Sequence, residues 1–322
     1  MNIDPNIFRN CVSAVERRAG ISPVRFTQKQ LDLYAKEEGY EIRSYGQASI
    51  CIDVMTDAAE LELAFTVEMI TRAYGMLDLY IDDAKADSVW FEPVNQKEYV
   101  IRIPLPQRAG EVRRVTLYLP HNAGLMFSSI AWFGGQIVEP APAYEKNLLC
   151  LGDSITQGIE AIHPSRIYPT LLARHFQANV INHGVGGYVF EADSLDEALP
   201  YSPDCITVAY GTNDWGRLDT LQQFSEKVEA YMERLTAIYP EAPIHVITPL
   251  WRQDIDEPKK MGTFADMTNA IVRACQAHPN VRVIDGLELL PHSRFMFTDG
   301  LHPTDAGFEW MAKAIAERLV WK

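Results

Sequence analysis

From residue 148 onward the chain alternates short apolar runs with amphipathic helical patterns, and that alternation admits few folds. The runs are Leu148–Leu151, Val180–Asn182, Cys205–Tyr210, Ile244–Pro249 and Val281–Asp285. Helical patterns occupy Ile167–Phe176, Leu221–Ile238 and Phe264–Ala277, with a terminal helix in Pro303–Lys322 that Thr304 or Asp305 would cap. Apolar runs this short, bounded by glycine or polar turns, suit strands buried on both faces. Strand–helix alternation therefore predicts a five-stranded parallel sheet covered on both sides, a three-layer α/β/α domain over 145–322. In such sheets the ligand site lies beyond the carboxyl ends of the strands.

The first 140 residues have another rhythm. Strand-like runs recur at Ala48–Thr56, Leu61–Ile70, Tyr74–Asp83, Tyr99–Pro106, Arg113–Pro120 and Met126–Phe133, separated by charged, Gly, Pro or Asp turns. That spacing predicts an all-β antiparallel sandwich over 1–140. Asn10–Arg18 reads as a short helix, and Thr27–Glu38 has helical polarity and reads as an insertion. Val138–Ala143, with prolines at 140 and 142, reads as the linker, because proline donates nothing to a sheet ladder.

Composition narrows the function classes. Twenty-nine Lys and Arg stand against 43 Asp and Glu, a net charge of −14, which argues against nucleic acid and against an anionic membrane surface as partners. No apolar stretch reaches the length of a membrane span, and the N-terminus lacks the pattern of a signal peptide. The five cysteines are scattered without a C-x-x-C pair, which fits a reducing, cytoplasmic setting. The histidines show no metal-ligand spacing, so neither a metal nor another cofactor is expected.

Four of the five runs are followed by one part each of a nucleophilic site. After the first run comes Gly152-Asp153-Ser154, a turn into a helix that would present the Ser154 hydroxyl. The second run ends in Asn182-His183-Gly184-Val185-Gly186-Gly187, a glycine turn that lets backbone N–H groups approach a ligand. The third ends in Gly211-Thr212-Asn213-Asp214, which offers a carboxamide, and past the fifth lies Asp299-Gly300-Leu301-His302-Pro303. A hydroxyl, a glycine turn, an amide and an Asp/His pair on one sheet edge are the parts for acyl transfer.

These four blocks, in this order, resemble those of the SGNH (GDSL-type) hydrolase superfamily of esterases, lipases and acyltransferases. Ile155 stands where the name-giving motif has leucine, a volume-conserving exchange. The resemblance implies a flavodoxin-like fold and a role for each matching position. Ser154 would be the nucleophile, His302 the general base and acid, and Asp299 the residue that orients the imidazole. The N–H groups of Ser154 and of a glycine in 184–187, with the alignment favouring Gly187, would bind the oxyanion together with the Asn213 amide. Gly75-Met76-Leu77-Asp78-Leu79-Tyr80 looks like a G-x-D-L-Y motif with one residue more before the aspartate. Jelly-roll-like sandwich domains precede SGNH domains among carbohydrate esterases.

The expected substrate is a small acyl ester, with an acetylated sugar the preferred reading. Acyl transfer, short-chain lipase or thioesterase activity, and a non-catalytic carbohydrate-binding role stand as alternatives. Tyr188, Trp215 and Trp251 follow strand ends and form a candidate aromatic wall for the substrate, with ordinary packing at a domain interface an equal alternative. Arg252 reads by default as a surface residue that could also meet a carboxylate or sugar hydroxyls. The oligomeric state, including a homo-oligomer, is open.

Overall fold

The computed structural model describes residues 3–93, 96–106 and 111–322. Eleven strands precede residue 141. They are β1 (Phe8–Arg9), β2 (Ser13–Arg17), β3 (Gly20–Val24), β4 (Cys51–Thr56), β5 (Glu60–Ile70) and β6 (Gly75–Ile81). β7 (Ala84–Phe91), β8 (Glu98–Pro104), β9 (Arg113–Tyr118), β10 (Ala123–Phe133) and β11 (Val138–Pro140) follow. They form two antiparallel sheets, ordered β1-β4-β9-β6-β7 and β2-β3-β10-β5-β8, with β11 beyond β1 on the same side of β4, opposite β9. The alternation seen in the sequence is the reason: along β5 every second residue from Leu61 to Val67 is buried. Those residues meet Leu77, Leu79, Ile52 and Val54 of the other sheet in one apolar core.

Asn10–Arg18 is not a helix. Ser13–Arg17 pairs with Gly20–Val24 across the two-residue turn Arg18-Ala19. A nine-residue helix is poorly nucleated, and strand pairing satisfies the same backbone groups with a neighbour to pack against. Gly20 has no room for a side chain, since a Cβ would sit 2.3 Å from the carbonyl oxygen of Phe127. The expected linker is in part a strand: Val138–Pro140 pairs with Thr56–Val54 at a sheet flank, where Pro140 is the last residue and its missing N–H leaves no gap. β7 carries no apolar signal because most of it is an exposed edge.

Between β3 and β4 lie two short helices, α1 (Gln28–Tyr34) and α2 (Glu38–Ser44). Thr27 and Gln30 close a capping box at the start of α1. Phe26 and Tyr34 pack into the core of the parallel-sheet unit, not that of the sandwich, so this excursion belongs physically to the other half of the molecule.

That half contains β12 (Lys146–Gly152), β13 (Ala178–Gly184), β14 (Cys205–Ala209), β15 (Ile244–Ile247) and β16 (Val281–Ile284), all parallel, in the order β13-β12-β14-β15-β16. The helices are α3 (Ser154–Gln157), α4 (Tyr168–Phe176), α5 (Thr212–Arg217), α6 (Leu221–Ile238), α7 (Phe264–Cys275) and α8 (Asp305–Ala316). Thr304 is the cap of α8, accepting from the Gly307 N–H at 3.2 Å. The chain reverses direction between β12 and β14, the place where such sheets open a crevice at their carboxyl edge. No described helix is long and apolar enough to cross a membrane.

Candidate active site

β12 is buried from Leu148 to Gly152 and delivers the chain to the crevice. Gly152 is required there, because a Cβ would lie 1.9 Å from Thr156 Oγ1 and 2.8 Å from Ala209 O. Asp153 caps the one-turn helix α3 through Oδ1 to the Ile155 N–H at 2.9 Å. Ser154, 6% exposed as a residue, opens that helix. Its Oγ lies 2.9 Å from His302 Nε2, and His302 Nδ1 lies 2.7 Å from Asp299 Oδ2.

The Asp299–His302 pair is rigid for a local reason. Asp299 Oδ1 accepts the N–H groups of Leu301 and His302 at 3.1 and 2.8 Å, an Asx turn that Gly300 completes at φ +81°. Burial works to raise the Asp299 carboxyl, but the bonds donated by the His302 backbone and ring, with the Leu301 N–H, outweigh it and hold it below the usual carboxylate value. An ionised Asp299 keeps the proton on Nδ1 and leaves Nε2 as the acceptor facing Ser154.

Backbone accounting shows which N–H groups around the glycine turn are free to meet a ligand. At the end of β13, Gly184 N–H donates to Asn182 Oδ1, Val185 N–H to Gly152 O, Gly186 N–H to Gln157 Oε1 and Tyr188 N–H to Val185 O. Among the described residues Gly187 N–H is the one in this run with no partner, and Ser154 N–H has none either. Val185–Tyr188 is a type II turn whose third residue, Gly187, sits at φ +79°, where only glycine is unstrained. Asn213 differs from expectation: its Nδ2 already donates to Tyr188 O at 3.0 Å and to Asp153 Oδ2 at 3.2 Å. It ties the glycine turn to the Gly-Asp-Ser turn, and can reach an oxyanion only by releasing one of these bonds.

Beneath it, Asp153 is buried, and burial first, then the neighbouring Asp214 charge, push its carboxyl up to about 7. The folded value lies above the unfolded value of 3.8. Stability from this group is therefore fully present below that pH and is lost as pH rises towards about 7. Asp153→Asn should flatten this decline, a result read from thermal midpoints across pH 4 to 7. Equal slopes in variant and wild type would remove the account.

Several residues that shape the site carry no signal in the sequence. Arg25, 1% exposed, lies in the chain's β-rich half but donates to the carbonyls of Asn182 and Gly184 at 2.6 and 2.8 Å, and to those of Gly46 and Arg43. β13 is an edge strand, so these carbonyls would otherwise be unpaired. Gln157 holds Gly186 N–H and donates to the Arg43 and His121 carbonyls. Arg217 Nη1 and Tyr40 Oη both bond the Gly187 carbonyl, at 2.6 and 3.4 Å.

The aromatic wall is not what the sequence suggested. Trp215 is fully buried, with its Nε1–H on Gly262 O and its ring against Phe264, so it has no face for a ligand. Tyr188 is also buried, edge-on to Tyr34 and Tyr40. Trp251, partly exposed, stacks on His292 and leans on Phe297, supporting the segment that leads to Asp299. Apolar strand-end aromatics here fill the layer between sheet and helices, where burial outweighs display. Arg252 is held by Asp254 and Thr212. His183 is buried between Phe26 and the Arg25 carbonyl, which its Nε2–H meets at 2.6 Å. Among the described residues no three His, Cys, Asp or Glu side chains are grouped to hold a metal.

Residues 150–310, half of the chain, match the model of the GDSL-like Lipase/Acylhydrolase family. An arylesterase of Vibrio mimicus is 25% identical over 191 residues, covering 54% of this chain and 88% of that protein. A salicylyl-acyltransferase from a tetracycline biosynthetic pathway superposes with a TM-score of 0.83 at 18% identity, over 96% of this chain and 92% of that one. An acetyl xylan esterase of the rumen bacterium Butyrivibrio proteoclasticus gives 0.68 at 16% identity, over 99% and 96%. At these identities the two structural likenesses carry the fold, a parallel-sheet unit joined to a β-rich one.

Proposed function

The chain belongs to the GDSL-like lipase/acylhydrolase family and is an ester-bond hydrolase, and from that premise we propose that Ser154, His302 and Asp299 are its catalytic triad. The observation that carries this reading is the unbroken chain from Ser154 Oγ through His302 to Asp299, at 2.9 and 2.7 Å. His302 Nε2 takes the Ser154 proton as Oγ attacks the ester carbonyl, and Asp299 stabilises the imidazolium. The free N–H groups of Ser154 and Gly187 receive the oxyanion, and Asn213 exchanges its longer bond, to Asp153, for a third. His302 then protonates the leaving alcohol and activates the water that hydrolyses the acyl-enzyme. The chemistry needs no cofactor.

The substrate we propose is a short acyl ester, an acetyl group on a carbohydrate, following the acetyl xylan esterase that shares the architecture. A panel of acetylated sugars and matched butyryl and octanoyl esters, with Ser154→Ala as the blank, tests it. Acetyl esters should show kcat/KM about tenfold or more above octanoyl esters, and equal or reversed rates would overturn the acyl-chain assignment. Adding acceptor alcohols to the same assays separates hydrolysis from acyl transfer, since both proceed from one acyl-enzyme.

A further inference from the structure

Beside the Gly187 turn, α2, α5 and the start of α6 enclose an open cavity of about 430 Å³. Its walls include Tyr40, Arg43 and Arg217 over an apolar floor of Val189 and Leu218. Arg217 is held in place by its Nη1, which donates to Tyr40 Oη and to Gly187 O, both at 2.6 Å. Among the described residues its Nε and Nη2 have no hydrogen-bond partner. Nη2 stands 3.2 Å from where a Cβ on Gly187 would be, so the free edge of the guanidinium is next to the proposed oxyanion donor. Arg43 donates only to Gly39 O, and its Cδ lies against Gly186, 2.6 Å from where a Cβ would be.

Among the described residues neither arginine has a carboxylate within ion-pair distance; their side chains donate to Gly39 O and to Tyr40 Oη and Gly187 O. Other arginines of this chain also lack an ion pair; what sets these two apart is that both converge on one cavity and lie against Gly186 and Gly187. The third cation of the cavity, Lys227, is by contrast paired with Glu191 at 3.1 Å. Of the acidic groups there, Asp214 is buried and pushed up to about 6 by that burial, and Glu37 is exposed.

We propose that this cavity binds an anionic substituent of the substrate, so that the enzyme selects esters bearing a carboxylate a few bonds from the scissile carbonyl. The proposal rests on the serine-esterase reading. The Nε/Nη2 edge of Arg217 presents two parallel N–H donors, the geometry that a carboxylate accepts side by side. Arg43, whose side chain lies against Gly186, adds a second positive charge to the cavity. Because Gly187 is shared by the oxyanion site and by the Arg217 anchor, binding an anion here also fixes the ester against the donors.

Two pairs of esters test this. In the acyl arm, 4-nitrophenyl hemisuccinate is compared with 4-nitrophenyl butyrate; in the alcohol arm, 3-acetoxybenzoate is compared with 3-acetoxybenzamide. Wild type should favour the anionic member of at least one pair by about tenfold or more in kcat/KM, chiefly through KM, and the arm that responds tells which side of the ester carries the charge. Arg43→Gln and Arg217→Gln should each bring that ratio towards one, Arg217→Lys should restore part of it, and raising salt should lower it. A ratio near one in both arms for wild type, or a ratio unchanged in both glutamine variants, overturns the anion site. If wild type hydrolyses none of the four faster than Ser154→Ala, the serine-esterase reading itself has failed. Reading a ratio within each variant keeps the result independent of any general loss of activity.

Discussion

Ser154→Ala should lower kcat for a chromogenic acetate ester by about four orders of magnitude or more, while thermal stability stays within about 1 kcal/mol of wild type. The size of the loss follows from the division of labour in the site. Without Oγ no acyl-enzyme can form, and His302 and Asp299 have no proton to relay, so the three positions fail as a unit. What survives is the residual stabilisation that the Ser154 and Gly187 N–H groups offer to direct attack by water. The fold should not notice. The Ser154 side chain bonds only His302, and His302 remains anchored through Nδ1 and its own N–H to Asp299. Steady-state kinetics beside a thermal melt checks both halves of the expectation. Equal slow hydrolysis by variant and wild type would mean that Ser154 is not the nucleophile.

The second large effect is on stability. Arg25→Met should destabilise the protein by about 3–5 kcal/mol, a fall in thermal midpoint of about 10 °C. Arg25 is a buried cation with no counter-ion, and burial pushes its guanidinium down to about 9. It is tolerated because four carbonyls, of Arg43, Gly46, Asn182 and Gly184, surround it. Methionine fills a similar volume and leaves those carbonyls unpaired in a site closed to water. Two of them belong to the strand end that sets the Gly187 turn, so kcat should also fall at temperatures where the variant is folded. Arg25→Lys keeps the charge but loses the planar fork, and should lie between the two. A methionine variant as stable as wild type would show that water replaces the guanidinium at little cost.

How legible the molecule was in its sequence depended on distance along the chain. The five parallel strands and the three longer helices between them, α4, α6 and α7, lie within one or two residues of their expected places, because each is a local pattern of apolar residues bounded by turns. The short α5 carries no such pattern. Ser13–Arg17 misled because its partner strand, not its own composition, decides its conformation. β7 was silent because an exposed edge strand needs no apolar alternation. Trp215 and Tyr188 were read as display and turned out to be core, since an aromatic after a strand end looks the same whether it faces the crevice or the helix layer.

Linear order alone determined the sheet and which strand ends carry Ser154, the glycine turn, Asn213 and the Asp299–His302 pair. These are short-range features, a turn after a strand or an Asx loop four residues long, and such features leave their residue types in the sequence. Only the tertiary structure decided which glycine N–H is free, that Asn213 bridges two turns, and that Arg25 reaches 159 residues along the chain to Gly184. It also decided that Arg43 and Arg217 flank the same glycine turn. The physical reason is common to all of these. They are contacts to backbone carbonyls and N–H groups, which every residue but proline supplies in full, so the partner leaves no mark in the sequence until the fold brings it near.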